Sequence, residues 1–232
     1  MFLKLTGAAA LAATVMIASS ANATIVRNYQ LNESLADSAG SGVDAVNNGG
    51  ALGGTGITFG ANQGPTVTGL SLSTYTITTS FDFDTTNSWR KIIDFKDLAS
   101  DNGLYNLNTE LYFVNSAFGP SGTFTAGLAA TVVLTRDGGT GLVTGYVNGV
   151  QQISFTDAAG DAIISGPLRF FQDDTFTGGR EASSGFVDYI TISNSVDAPA
   201  GGVPEPASWA LMILGFGGVG AAMRRRTGTA LV

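Results

Sequence analysis

The chain has no cysteine and no histidine. Without cysteine there is no disulfide to staple a fold and no thiolate to act as nucleophile or soft metal ligand. Without histidine there is no general base with an unperturbed pKa near neutrality, and no imidazole for zinc or copper. Serine–histidine hydrolysis and zinc hydrolysis are therefore excluded. Charge is also scarce: only 12% of residues are charged, and 18 acidic against 11 basic residues give a net charge of -7. Lys4 and the Arg224, Arg225, Arg226 cluster sit at the extremities, so the middle of the chain is more acidic still. Such a surface repels phosphate backbones, which argues against a nucleic-acid partner. The glutamates are only Glu33, Glu110, Glu181 and Glu205. None has another acidic residue two positions away, so the glutamate-based carboxylate pattern of a strand-borne glycoside hydrolase is missing. Asp82 and Asp84, alternating with Phe81 and Phe83, read as the solvent face of a strand. We expect no enzyme activity, with a divergent glycoside hydrolase as the remaining alternative. What is abundant is apolar residues, 44%, and glycine, 32 residues, the profile of an exported chain rich in β-structure.

The two ends carry the clearest signals. Lys4 precedes an apolar run from Leu5 to Ile17, then Ser19, Ser20 and Ala21-Asn22-Ala23. This is a basic segment, a short hydrophobic stretch and an A-x-A site, which predicts a signal peptide over 1–23 cut by signal peptidase before Thr24. No basic stop-transfer cluster follows the run, which disfavours an uncleaved anchor. At the far end, residues 197–203 form a linker of small residues, followed by Pro204-Glu205-Pro206 and an uncharged stretch from Ala207 to Met223. As a helix that stretch would be about 26 Å long, close to the ~30 Å of a hydrocarbon core. Trp209 lies at its outer end and Arg224, Arg225, Arg226 stop it. The arginines stay on the cytoplasmic side with the 227–232 tail, so the body lies across the inner membrane, in agreement with the signal peptide. The prolines flanking Glu205 keep that backbone extended and non-helical, a form a processing enzyme can grip.

Residues 204–226, PEPASWALMILGFGGVGAAMRRR, resemble the PEP-CTERM sorting signal in its variant with Trp after the PEP motif. The resemblance implies recognition of Pro204, Glu205 and Pro206 by an exosortase. It also implies transient anchoring in the inner membrane, then release of the body to the cell surface or the exopolysaccharide matrix of a Gram-negative bacterium. The alternative is a permanent anchor with the prolines as a rigid spacer.

Between the ends the hydrophobic period is two. Tyr75, Ile77, Thr79, Phe81 and Phe83 alternate with Thr76, Thr78, Ser80, Asp82 and Asp84, which predicts a strand with one buried face. Further strands are expected at 25–31, 91–95, 111–114, 131–135, 142–147, 150–155, 168–171 and 186–192. Asn148-Gly149 between two apolar runs predicts a type I′ hairpin, and Asp137-Gly138-Gly139 a preceding turn, so three successive strands form a meander. About 180 residues of this pattern make one all-β, antiparallel β-sandwich domain over 24–196. The segment TVVLTRDGGTGLVTGYVNGVQQISF, with LRFFQDD and GFVDYITISN, resembles the hairpin core and closing strands of LamG-like and concanavalin A-like jelly rolls. That resemblance implies binding, of carbohydrate or another envelope component, with a purely structural or adhesive module as the alternative.

Two clusters could supply a site. Asp94, Asp97 and Asp101 surround a turn-rich stretch before Tyr105, whose ring could stack on a sugar, as could that of Tyr112. Asp173 and Asp174 stand where a strand gives way to a loop and could hold Ca²⁺ through hard oxygens. The alternative is a solvated loop with Arg180 as counter-charge.

Overall fold

The computed structural model describes Thr24 to Pro199; the expected signal peptide, the 204–226 segment and the tail lie outside the described residues. The described chain is all strand and loop, with no helix long and apolar enough to cross a membrane. Fourteen strands follow one another: β1 (Ile25–Tyr29), β2 (Ala51–Gly53), β3 (Gly56–Phe59), β4 (Thr66–Val67), β5 (Tyr75–Phe83), β6 (Trp89–Asp94), β7 (Gly103–Leu107), β8 (Glu110–Phe113), β9 (Ala117–Phe118), β10 (Ala130–Arg136), β11 (Leu142–Val147), β12 (Val150–Thr156), β13 (Leu168–Phe170) and β14 (Gly185–Ser193). They pair antiparallel into two sheets of a jelly-roll sandwich. The eight-stranded sheet runs β12-β11-β10-β5-β14-β3-β2 with β1 also paired to β14, and the six-stranded sheet runs β4-β13-β6-β7-β8-β9. The long β14 accommodates β3 beside its first half and β1 beside its second, so the chain's first and last strands are neighbours.

The period-two pattern builds the core. In β5, Ile77, Thr79, Phe81 and Phe83 enter the interior while Thr78, Ser80 and Asp82 keep partial exposure. Phe171, from beside the opposite sheet, stacks on Phe59 at 4.5 Å and meets Phe81 at 4.9 Å. Each such side chain taken fully out of water contributes about 1.5–3 kcal/mol, and these rings weld the two layers. Asn148 and Gly149 both have positive φ, 51° and 78°, as the I′ turn demands, and β10, β11 and β12 form the expected meander. At one end Arg136 closes the sandwich: Nε donates to Asp157 Oδ2 at 2.9 Å and Nη1 to the Ser73 carbonyl at 2.6 Å. The strands β2, β3, β4, β7 and β9 were not expected from the pattern. β7, Gly103-Leu-Tyr-Asn-Leu, is buried on both faces at four of its five positions, so it shows no alternation to read.

Candidate functional site

The outer face of the six-stranded sheet collects the chemistry. Register places Lys91 opposite Tyr105, Tyr105 opposite Tyr112 and Tyr112 opposite Phe118, so these four side chains form one row across β6, β7, β8 and β9. Trp89 lies two residues from Lys91 on the same face and touches both tyrosines edge-on, at 5.4 and 5.3 Å. Tyr105 and Tyr112 are buried, at 0% and 5% exposure, whereas Phe118 is 64% exposed and stacks on Tyr112 at 4.1 Å. The ring available to a ligand is therefore that of Phe118, with the edge of the half-buried Trp89. The tyrosines that the sequence singled out form the bed beneath.

At the other end of the row lies an ionic cluster. Lys91, with no exposed surface, points Nζ at Asp174 Oδ2 (2.9 Å) and Asp94 Oδ2 (3.5 Å), and sits 4.4 Å from the centre of the Tyr105 ring. The Tyr105 hydroxyl donates to Asp101 Oδ1 at 2.8 Å. Burial, and then the Asp101 carboxylate that accepts its proton, push the Tyr105 phenol far up. Burial alone would raise Asp174, but the Lys91 hydrogen bond and charge, with the amides of Thr177 and Phe176, hold it below the usual carboxylate range. Asp94 is raised by burial, which outweighs the lowering effect of the Leu98 and Lys96 amides and of the Lys91 charge. Glu181 is pushed up to about 7, by burial first and then by the nearby negative charges of Asp101 and Asp173.

The geometry behind the cluster is an excursion in a strand. Phe171 N–H donates to Ile92 O and Lys91 N–H to Glu181 O, at 3.0 and 2.8 Å, so the chain flanks β6, leaves it over 172–180, and rejoins it. Asp174 anchors the excursion by accepting the amides of Phe176 (2.8 Å) and Thr177 (3.2 Å). Asn62 clamps it from outside, accepting Asp173 N–H at 2.8 Å and donating to Gly179 O at 3.0 Å. Thr175 N–H donates to Leu98 O at 3.2 Å. At the tip stands Phe176, 80% exposed.

Asp94, Asp101, Tyr105 and Asp174, taken from two stretches about seventy residues apart in the sequence, thus converge on one lysine, while Asp173 turns to the Thr177 hydroxyl and the Glu181 amide. Asp97 stands aside, bound to Arg169 at 2.6 Å. The counter-charge of Asp174 is Lys91, not Arg180, which is exposed. The expected calcium pair does not form a cage: both Asp174 oxygens and Asp173 Oδ2 are taken by protein donors. Among the described residues no group of three or more acidic, His or Cys side chains is placed to hold a metal ion. Asp173 Oδ1 and Glu181 Oε2 remain buried without a hydrogen-bond partner. Lys91, Phe118 and Phe176 were missed. The signal for Lys91 was its place inside the apolar Lys91-Ile92-Ile93 run.

The opposite outer face, on the eight-stranded sheet, holds a groove of about 360 Å³ lined by Ile25, Thr76, Thr78, Val133, Thr191 and Ser193, with Asp197 and Pro199 at its rim.

Compared with known families, residues 202–226 match the PEP-CTERM protein-sorting motif. The tail carries a PEP-CTERM sorting signal. No curated protein matches the chain. Among solved structures, the sandwich is similar to domain 4 of AbnA, a GH43 extracellular arabinanase from Geobacillus stearothermophilus in complex with arabinotriose. That match has 16% identity and TM-score 0.56, covering 77% of this chain and 96% of that one. It is similar also to Trypanosoma rangeli sialidase (14% identity, TM-score 0.58, covering 76% of this chain and 32% of that one). A third is the binding domain of Paraclostridial Mosquitocidal Protein 1 (12% identity, TM-score 0.58, covering 75% of this chain and 49% of that one). These likenesses establish the jelly-roll fold, and the PEP-CTERM signal marks the chain as one sorted at its C-terminus.

Proposed function

We propose that this is an exported, non-enzymatic protein, processed by an exosortase at its PEP-CTERM segment, whose body binds a neutral carbohydrate polymer on the outer face of the six-stranded sheet. The observation that carries this is the aromatic row ending in Phe118, exposed over 64% of its surface yet fixed by stacking on Tyr112. Sugar rings present an apolar C–H face that packs on such a ring. The surplus of carboxylates repels acidic polymers. The arabinanase domain crystallised with arabinotriose supports the ligand class. The carboxylates are turned toward Lys91, Tyr105 and backbone amides, which favours binding over hydrolysis.

Affinity electrophoresis of the protein in gels containing neutral or acidic polysaccharides tests the reading. A neutral polymer retards the native chain, Phe118→Ala and Trp89→Ala weaken retardation about tenfold or more, and no reducing ends are released. Retardation unaffected by both substitutions removes the aromatic face as the site. For sorting, the native chain recovered from cells lacks the mass of its tail, whereas Glu205→Ala keeps it.

A further inference from the structure

Both ends of the described chain leave the sandwich at one corner. Asn194 N–H donates to Thr24 O at 3.1 Å, and Ile25 lines the groove whose rim is Asp197 and Pro199. Beyond β14 the chain is clasped to β5. Thr76 Oγ1 donates to Ser195 O at 2.7 Å and accepts Asp197 N–H at 2.8 Å, while the Ser193 and Ser195 hydroxyls donate to Asp197 Oδ2 at 3.1 and 3.0 Å. The clasp lies on the outer face of the eight-stranded sheet, on the far side of the sandwich from the aromatic row. From Asp197 to Pro204 there are seven residue steps (204 − 197 = 7), which reach at most about 25 Å. Whatever grips the proline motif works within that distance of the groove.

We propose that the groove face of the eight-stranded sheet is the surface that meets the membrane enzyme acting on residues 202–226, so that the aromatic face points away from the membrane and can take polymer before release. This rests on the reading of the tail as a processing signal. The face is suited to a protein loop and poorly suited to lipid. Its cross-strand rows, Thr144–Thr135–Thr76–Ser193 and Tyr146–Val133–Thr78–Thr191, carry hydroxyl, aliphatic and phenol groups but no lysine or arginine for anionic headgroups. The groove mixes apolar walls at Ile25 and Val133 with the hydroxyl of Thr78 and that of Thr191, which donates to Asn28 Oδ1 at 3.3 Å, the composition of a small interface pocket.

The absence of cysteine makes the test direct. Thr78→Cys, Thr191→Cys and Phe118→Cys are placed singly in the full chain, in cells whose exosortase lacks its catalytic nucleophile, and labelled with a membrane-impermeant maleimide. Compared with the released body, the groove positions label about fivefold more slowly or less, and the Phe118 position labels equally. In cells with active enzyme, Thr78→Arg and Thr191→Arg slow tail removal about fivefold without changing retardation by polysaccharide, folding being checked by Trp89 fluorescence. Equal labelling on both faces, or protection at Phe118, overturns the proposal while leaving sorting intact. Groove protection that persists in cells lacking the enzyme assigns the face to lipid and also overturns it. A native chain that keeps its tail overturns the sorting reading and this proposal together.

Discussion

Replacing Lys91 with methionine tests the ionic cluster most directly. The substitution keeps the length and most of the volume of the side chain and removes one charge from a position with no exposed surface. It leaves Asp174, at present 2.9 Å from Nζ, and Asp94, at 3.5 Å, without their cation. Deleting one partner of a buried pair costs about 3–5 kcal/mol, because the remaining charge is neither solvated nor paired. With a urea m-value of about 2 kcal/mol/M, the unfolding midpoint moves down by roughly 1.5–2.5 M. The chain has two tryptophans, so a Trp209→Phe background leaves Trp89, which packs beside Tyr105, as the sole fluorescent reporter of unfolding. Adding Asp174→Asn to Lys91→Met removes the orphaned charge but keeps an acceptor for the excursion's amides, and recovers about half of the loss. A loss below about 1 kcal/mol for Lys91→Met, or a double variant no better than the single, refutes the claim that Lys91 neutralises this site.

Glu181 makes stability pH-dependent. Its folded pKa is raised to about 7 from 4.5, so the folded state holds the proton more tightly than the unfolded one and the group favours folding less as pH climbs from 4.5 through 7. After discounting for its partial exposure, the contribution lost across that window is about 1–2 kcal/mol, and urea titrations at pH 5 and 8 show Glu181→Gln flattening the slope. Gly185→Ala drives a methyl group to 2.1 Å from the Asp82 carbonyl, and thermal unfolding registers a loss of about 2–4 kcal/mol because two backbones must separate. Gly149→Ala forces a side chain onto a residue at φ 78°, costing about 1–2 kcal/mol in the same assay.

The sandwich was legible wherever one face of a strand meets water. β5 alternates along its length, and Asn148-Gly149 announces its turn by chemistry alone. Strands buried on both sides, or as short as β4 and β9, leave no such trace. The site was half legible. Aspartates at turns were visible as candidates, but their meeting depends on an excursion bringing residue 174 to residue 91, which no local pattern encodes. Lys91 was hidden because a strand lysine is ordinarily solvated, and here the carboxylates of Asp94 and Asp174, from two segments, make its burial tolerable. Tyr105 was chosen for its chemistry and turned out to be bedding, since exposure is decided by which strand ends the sheet. That strand is β9, and it carries Phe118.

The excursion over 172–180 separates two kinds of duty. Its feet, Asp173, Asp174 and Glu181, are fixed by the buried cluster and by Asn62, Leu98 and Thr177, while the Phe176 side chain at its tip, 80% exposed, contributes nothing to the packing between the sheets. Sequence change at Phe176 is therefore nearly free of folding cost, whereas Thr177, whose hydroxyl donates to Asp173 Oδ2 at 2.8 Å, and Gly178, at φ 74°, are held by the excursion itself. A lineage can rewrite what the tip displays, as an antibody rewrites a hypervariable loop, without relearning the scaffold beneath it.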